Sequence, residues 1–193
     1  MSGSICTTAR DYLAGLSKLA AQVDPKPIDA LTDLLFKAWT ERRRVFVFGN
    51  GGSASTSSHF VCDLVKTACV PGRRRLDVIA LVDNIPLMTA LGNDVSYDDI
   101  FRFPLETCAK PGDIAIGISC SGKSPNLLRA CEWANANGLT VVALTGFSGG
   151  TVKDLAQLHI NIPSDNYGWI EDLHLSVNHM VAQELHARIK AQA

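Results

Sequence analysis

Apolar residues along the chain follow two rhythms, and their alternation predicts the architecture. From Ser4 to Val23, the residues Ile5, Tyr12, Leu13, Leu16, Leu19, Ala20 and Val23 recur at steps of three and four, the spacing of one helical face. Asp24 to Pro27 breaks that pattern, and Ile28 to Glu41 predicts a second helix with Leu31, Leu34, Leu35, Ala38 and Trp39 on one side. The rhythm then changes. Val45 to Phe48 is a short, continuous, β-prone apolar run, and Leu76 to Val82, Ile114 to Ser119, Thr140 to Thr145 and Leu158 to Ile162 repeat it. Helical patterns separate these runs. One follows Gly52, a short one from Asp83 to Asp94 is closed by Gly92 as its cap, and one covers Tyr97 to Ala109 with Phe101, Phe103 and Leu105 as bulk. Pro104 requires that last helix to kink or to begin later. Pro125 opens a further helix that Gly138 ends, and a long one runs from about Trp169 to Ile189.

Strands that are apolar throughout are buried on both faces. Alternating with helices, they predict a parallel five-stranded sheet in a doubly wound α/β three-layer sandwich. Ligands in such folds collect at the carboxyl ends of the strands. The two helices ahead of the first strand, within residues 1–43, are expected to pack against a partner subunit rather than over a sheet face.

Composition narrows this picture. A chain of 193 residues suits one domain, spanning 1–193, and is short for two. A net charge of −1 argues against a nucleic-acid surface. Two basic clusters, Arg42-Arg43-Arg44 and Arg73-Arg74-Arg75, read as solvated segments, with attraction for phosphorylated ligands as the alternative. Six scattered cysteines (Cys6, Cys62, Cys69, Cys108, Cys120, Cys131) form no C-x-x-C pair and read as reduced, mostly buried thiols. With no signal peptide and no apolar run near the roughly 20 residues of a membrane span, a cytoplasmic protein without membrane partners is expected.

Chemistry concentrates in two loops and one helix. Gly49-Asn-Gly-Gly-Ser-Ala-Ser-Thr56 joins the first strand to a helix, where glycines permit close approach and free amides, the helix dipole and the hydroxyls of Ser53, Ser55 and Thr56 suit an anion. It has neither the P-loop lysine nor the dinucleotide glycine spacing. His59 and Asp63, four apart, share a helical face as a base or a metal-ligand pair. Ser119-Cys-Ser-Gly-Lys-Ser124 repeats the hydroxyl-loop logic after the third strand, and Cys120 within it reads as a packed neutral thiol. In the last helix Glu171, Asp172, His174, His179, Glu184 and His186 interrupt an apolar pattern.

Together with Thr89-Ala-Leu-Gly-Asn-Asp94 and Glu171-Asp-Leu-His-Leu-Ser-Val-Asn-His179, these motifs resemble the sugar isomerase (SIS) fold, and within it the sedoheptulose-7-phosphate isomerases. The resemblance covers nearly the whole chain. It implies isomerisation of sedoheptulose 7-phosphate to an aldoheptose 7-phosphate, a homotetramer with active sites between subunits, and one Zn²⁺ per subunit. Ser53, Ser119, Ser121 and Ser124 match phosphate-binding positions, and Asn50, Gly51, Gly52, Asn93, Asp94, Cys120 and Glu171 complete the expected substrate site. His59, Asp63, Glu171 and His179 match metal positions, with Asp63 and His179 as the acid-base pair. Two departures stand out: Asp63 where the family usually has glutamate, and Glu171 where it usually has glutamine. Eight residues of straight helix separate Glu171 from His179 by about 12 Å, so their pairing as co-ligands rests on the resemblance alone. Rival readings are an isomerase of another phosphosugar and a non-catalytic regulatory SIS module that binds a sugar phosphate or a protein.

Overall fold

A computed structural model describes residues 6–192; Ser4 and Ile5 of the first predicted helix lie outside that range. Helices α1 (Ala9–Ala20) and α2 (Lys26–Glu41) precede strand β1 (Arg44–Gly49). Then come α3 (Gly52–Cys62), β2 (Asp77–Ala80), α4 (Ile85–Asp94), α5 (Arg102–Cys108), β3 (Ile114–Ser119), α6 (Pro125–Ala136), β4 (Thr140–Gly146), β5 (Leu158–Ile162) and α7 (Tyr167–Ala191). All strand pairs are parallel, in the order β2-β1-β3-β4-β5. The predicted five-stranded parallel α/β sandwich is the observed one.

Side-chain alternation along the strands builds two cores. Val45, Val47, Ile114, Ile116, Ile118, Val142 and Leu144 face α2, α3 and α7, while Phe46, Phe48, Ala115, Val141 and Ala143 face α5 and α6. Helix α2 is therefore not reserved for a partner. Leu31 and Leu35 are fully buried against the molecule's own sheet, which corrects the expectation for that helix. Helix α1 differs: Leu19 is its one buried residue, and Leu13 is 63% exposed. It leans on α7 through a hydrogen bond from Tyr12 Oη to Asp172 Oδ2 at 2.6 Å and one from Trp169 Nε1 to the Tyr12 carbonyl at 3.0 Å.

Three local expectations change. Gly92 lies inside α4, whose cap is Val95, so Asn93 and Asp94 sit in its last turn rather than in a loop. The Tyr97 to Ala109 segment is a short 3₁₀ turn followed by α5, which starts late enough to place Pro104 in the first turn, where its missing N–H has no helical partner. Of the six cysteines only Cys120 and Cys131 are buried, while Cys62 and Cys108 are exposed.

The chain's path locates the site. After β1 it moves to one side for β2, then returns across β1 to place β3 on the other side. The crevice between β1 and β3 is the switch point of the sheet, and Gly49 pairs with Ile118 there. Both hydroxyl loops leave the sheet at that crevice.

Candidate active site

Two serine loops and the start of α7 form a pocket of about 210 Å³ lined by Asn50, Ser53, Ser119, Cys120, Ser121, Ser124, Tyr167 and Glu171. Each loop is held in shape by its own backbone chemistry. Gly51 caps α3 with φ 54 and ψ −122, and Gly122 sits at φ 62. A Cβ on Gly122 would meet the Gly149 carbonyl oxygen at 2.1 Å, so only glycine fits where the two turns cross. Ser119 Oγ accepts from the Gly122 amide at 3.1 Å, and the Gly122 carbonyl accepts from the Val152 amide at 3.0 Å.

The two loops are also tied to each other. Asn50 Nδ2 donates to Asn126 Oδ1 at 2.9 Å, and Asn126 Nδ2 donates back to Asn50 Oδ1 at 2.9 Å. Tyr97 Oη adds a bond to Asn50 Oδ1 at 3.2 Å. Asn126 and Tyr167 escaped the sequence reading. The signal for Asn126 was an asparagine in the first turn of a helix behind a serine loop, and that for Tyr167 an aromatic residue opening α7. Not every predicted hydroxyl serves the pocket. Thr56 Oγ1 donates to the Gly52 carbonyl at 3.1 Å, bonding its own helix one turn back, and Ser55 is exposed outside the lining. Asn93 and Asp94, bonded to each other at 2.7 Å, are likewise outside it.

Burial raises the Cys120 thiol to about 11, with the Glu171 charge adding to the effect, so Cys120 is a neutral wall of the pocket. The Glu171 carboxyl is also pushed up, first by burial and then by the neighbouring Asp172. Its Oε1 lies 2.3 Å from where a Cβ on Gly52 would stand, against the first turn of α3. A side chain at position 52 would displace it.

Helices α3 and α7 run alongside each other from Glu171 at Gly52, through Asn178 Nδ2 donating to the Thr56 carbonyl at 3.3 Å, to a second cluster. In that cluster His59 Nε2 lies 3.4 Å from Asp63 Oδ2, His179 Nε2 lies 3.5 Å from the same oxygen, and the two Nε2 atoms are 3.3 Å apart. Asp63 opens a π-helical turn, Asp63–Thr67, that continues α3, and its Oδ1 accepts from Thr67 Oγ1 at 3.0 Å. Its Oδ2 is buried with no hydrogen-bond partner. A tetrahedral ion bound at about 2.0–2.2 Å holds its ligands about 3.3–3.6 Å apart. The three measured edges match, and the orphaned Oδ2 has the partner it lacks if a cation sits among them.

Glu171 does not join this set. Among the described residues the group of converging ligand atoms is His59, Asp63 and His179, and Glu171 faces the serine pocket instead. Two turns of α7 account for the separation, at about 1.5 Å per residue.

With this geometry in place, comparison with known proteins is informative. The SIS domain family model matches residues 11–146. The probable phosphoheptose isomerase of Thermoplasma acidophilum is 36% identical over 173 residues, covering 90% of this chain and 94% of that one. The chain belongs to the phosphoheptose isomerase family of SIS domain proteins. The phosphoheptose isomerase of Geobacter metallireducens is 34% identical over 181 residues, 94% of this chain and 95% of its own. A solved phosphoheptose isomerase from Francisella tularensis superposes with a TM-score of 0.87 at 26% identity, over 92% of this chain and 96% of that one. Family membership makes this an aldose-ketose isomerase, and its serine pocket lies at the switch point of the sheet.

Proposed function

We propose that the protein isomerises sedoheptulose 7-phosphate to D-glycero-D-manno-heptose 7-phosphate. The observation that carries this reading is the pairing of a serine-lined pocket with a converging His59, Asp63 and His179 set, joined by the adjacent helices α3 and α7. Ser53, Ser119, Ser121 and Ser124 offer hydroxyl donors to the phosphate, and the amides at the start of α3 add their dipole. Ser53 and His59 are six residues apart, about 9 Å along the helix axis, so an open-chain sugar anchored by its phosphate reaches the His/Asp cluster with its carbonyl end.

Moving the carbonyl from C2 to C1 requires removal of a proton from C1, an enediol, and return of a proton to C2. Carbon acids are weak, so a base and an acid must be placed at neighbouring atoms. Asp63 and His179 are the residues assigned to this exchange. His59, Asp63 and His179 are also the residues that would hold zinc, with Glu171 too far along α7 in the single chain. When bound there, zinc supplies Lewis acidity to the substrate oxygens; three protein ligands and a fourth corner for substrate or water is the pattern of catalytic rather than structural zinc sites. Glu171, beside Gly52, is placed to accept hydrogen bonds from sugar hydroxyls.

Assembly belongs to the same proposal. Exposed Leu13 on α1, and a cleft of about 790 Å³ between α1 and the segment carrying Phe147 and Trp169, support a homotetramer packed partly through α1. Among the described residues no helix is long and apolar enough to cross a membrane, and a cytoplasmic location fits the reading.

The test combines turnover with metal content. His179→Ala is expected to abolish conversion of sedoheptulose 7-phosphate and to lower bound zinc measured by elemental analysis. Intact turnover in that variant would remove the assignment. Wild-type turnover of a different phosphosugar, with none of the heptulose phosphate, would redirect it to another substrate, and no turnover across the panel would favour a binding module.

A further inference from the structure

The two arginine triplets take no part in the serine pocket. Arg42 to Arg44 close α2 and open β1, Arg73 to Arg75 precede β2, and the parallel register of Arg44 with Asp77 brings both to the amino-terminal edge of the sheet. That edge is the end opposite Gly49 and Ser119. There Arg42, Arg43, Arg74 and Arg75 line one cleft of about 380 Å³, over Trp39 and Leu76.

Partners within the chain are unequally shared. Arg44 holds Asp77 through Nε and Nη2, both at 2.9 Å, and Asp77 is the one carboxylate lining the cleft. Arg43 Nη1 donates to the Pro111 carbonyl at 3.0 Å, and Arg73 Nη2 to the Gln192 carbonyl at 2.8 Å. The Arg74 guanidinium lies 4.8 Å from the Trp39 ring centre, while Trp39 Nε1 donates to the Arg74 carbonyl at 3.0 Å. Neither the Arg42 nor the Arg75 side chain has a hydrogen-bond or ion-pair partner among the described residues. Arg43 also pairs with Glu41 Oε2 at 3.7 Å, so of the four arginines lining this concave surface Arg42, Arg74 and Arg75 have no carboxylate partner among the described residues, and the lining carboxylate is already engaged.

Backbone conformation adds a second, independent sign. Arg42 caps α2 in the left-handed region, at φ 59 and ψ 38. Glycine is the residue that adopts this position without penalty, because a Cβ crowds the following carbonyl. The chain carries a long cation there instead, while the amides of Arg42 and Arg43 both bond the Ala38 carbonyl, the latter at 2.9 Å, and hold the turn.

We propose that this cleft is a second anion site, separate from the serine pocket, that binds a pyrophosphate group, either free or carried by a nucleotide. Planar guanidinium forks match phosphate oxygens two at a time, and four of them exceed what a single orthophosphate can use. The four arginines gather in one cleft of a chain whose net charge is −1, which suits a small ligand rather than the broad field that nucleic acid needs.

The experiment is calorimetric titration of the purified protein at low ionic strength with pyrophosphate, ADP and orthophosphate, each in matched sodium chloride. Pyrophosphate, with or without ADP, is expected to bind more tightly than orthophosphate; the two arms show whether the free ion or the nucleotide is the better source. Arg42→Gly and Arg75→Gln are each expected to weaken binding roughly 10-fold, the scale of a lost charge-assisted contact. Arg42→Gly should at the same time raise the Tm, because glycine relieves the left-handed cap, so weaker binding cannot be laid to unfolding. Equal affinity in wild type and both variants would assign the anion to the serine pocket and overturn the proposal. So would tighter binding of orthophosphate, or the absence of saturable heat in all three arms.

Discussion

Asp63 carries one methylene fewer than a glutamate, and its Oδ2 stands 3.4 and 3.5 Å from the two imidazole nitrogens. The π-helical turn that begins at this residue and the bond from Thr67 fix the carboxylate where the shorter side chain reaches. Lengthening it should therefore do harm. Asp63→Glu is expected to lower kcat/KM for the heptulose phosphate on the order of 100-fold, since displacements near 1 Å cost about that much. Steady-state kinetics with bound-zinc analysis checks it, and unchanged kinetics would mean that the cluster tolerates either length. Sequence disclosed His59 and Asp63 as a pair because four residues make one helical step. It could not disclose Asn126, whose role comes from an amide 76 positions away. Thr56 misled for a related reason: a helical threonine has its own carbonyl one turn back as a ready acceptor.

Elements explain where the serines point. Strands β1 and β3 are neighbours by topology, so two loops far apart in sequence emerge side by side at the same crevice. Gly122 is the hinge of the second loop. Gly122→Ala would place a methyl carbon on the Gly149 carbonyl and force φ 62 on a residue with a Cβ. The expected result is a loss of about 1–3 kcal/mol in chemical denaturation together with a raised KM, because the serine loop moves with its turn. Wild-type stability with wild-type KM would show that the crossing of the turns is not needed. Strands were legible because burial on both faces leaves an unbroken apolar run. Helix α2 was legible as an element and misassigned in its packing, since an amphipathic face looks the same whether it meets its own sheet or another subunit.

For the whole molecule, α7 packs against α1, α2, α3 and the sheet, and His174 is, with Asn178, one of its two fully buried polar residues. The ring is fully buried, Nε2 donates to the Thr145 carbonyl at 3.0 Å, and Nδ1 has no partner. Burial, partly opposed by that bond, lowers its pKa from 6.5 to about 4. Between those values the unfolded chain takes up a proton that the folded chain refuses. Stability from the neutral ring is therefore complete above about pH 6.5 and is lost progressively as pH falls toward 4, by at most on the order of 3 kcal/mol. Urea unfolding at about pH 7 and pH 4.5 should show this loss, and His174→Gln should flatten it; an equal slope in the variant would place the sensitivity elsewhere. The same molecule carries a chemical clock at its catalytic edge. Asn50 precedes Gly51, and in such a dipeptide the side-chain amide carbon is open to attack by the next backbone nitrogen, which releases ammonia and closes a cyclic imide that water then opens to an acid. Asn50 must first rotate away from Asn126, so the reciprocal amide bonds that join the two serine loops should also slow an ageing that would place a negative charge in the wall of the serine pocket.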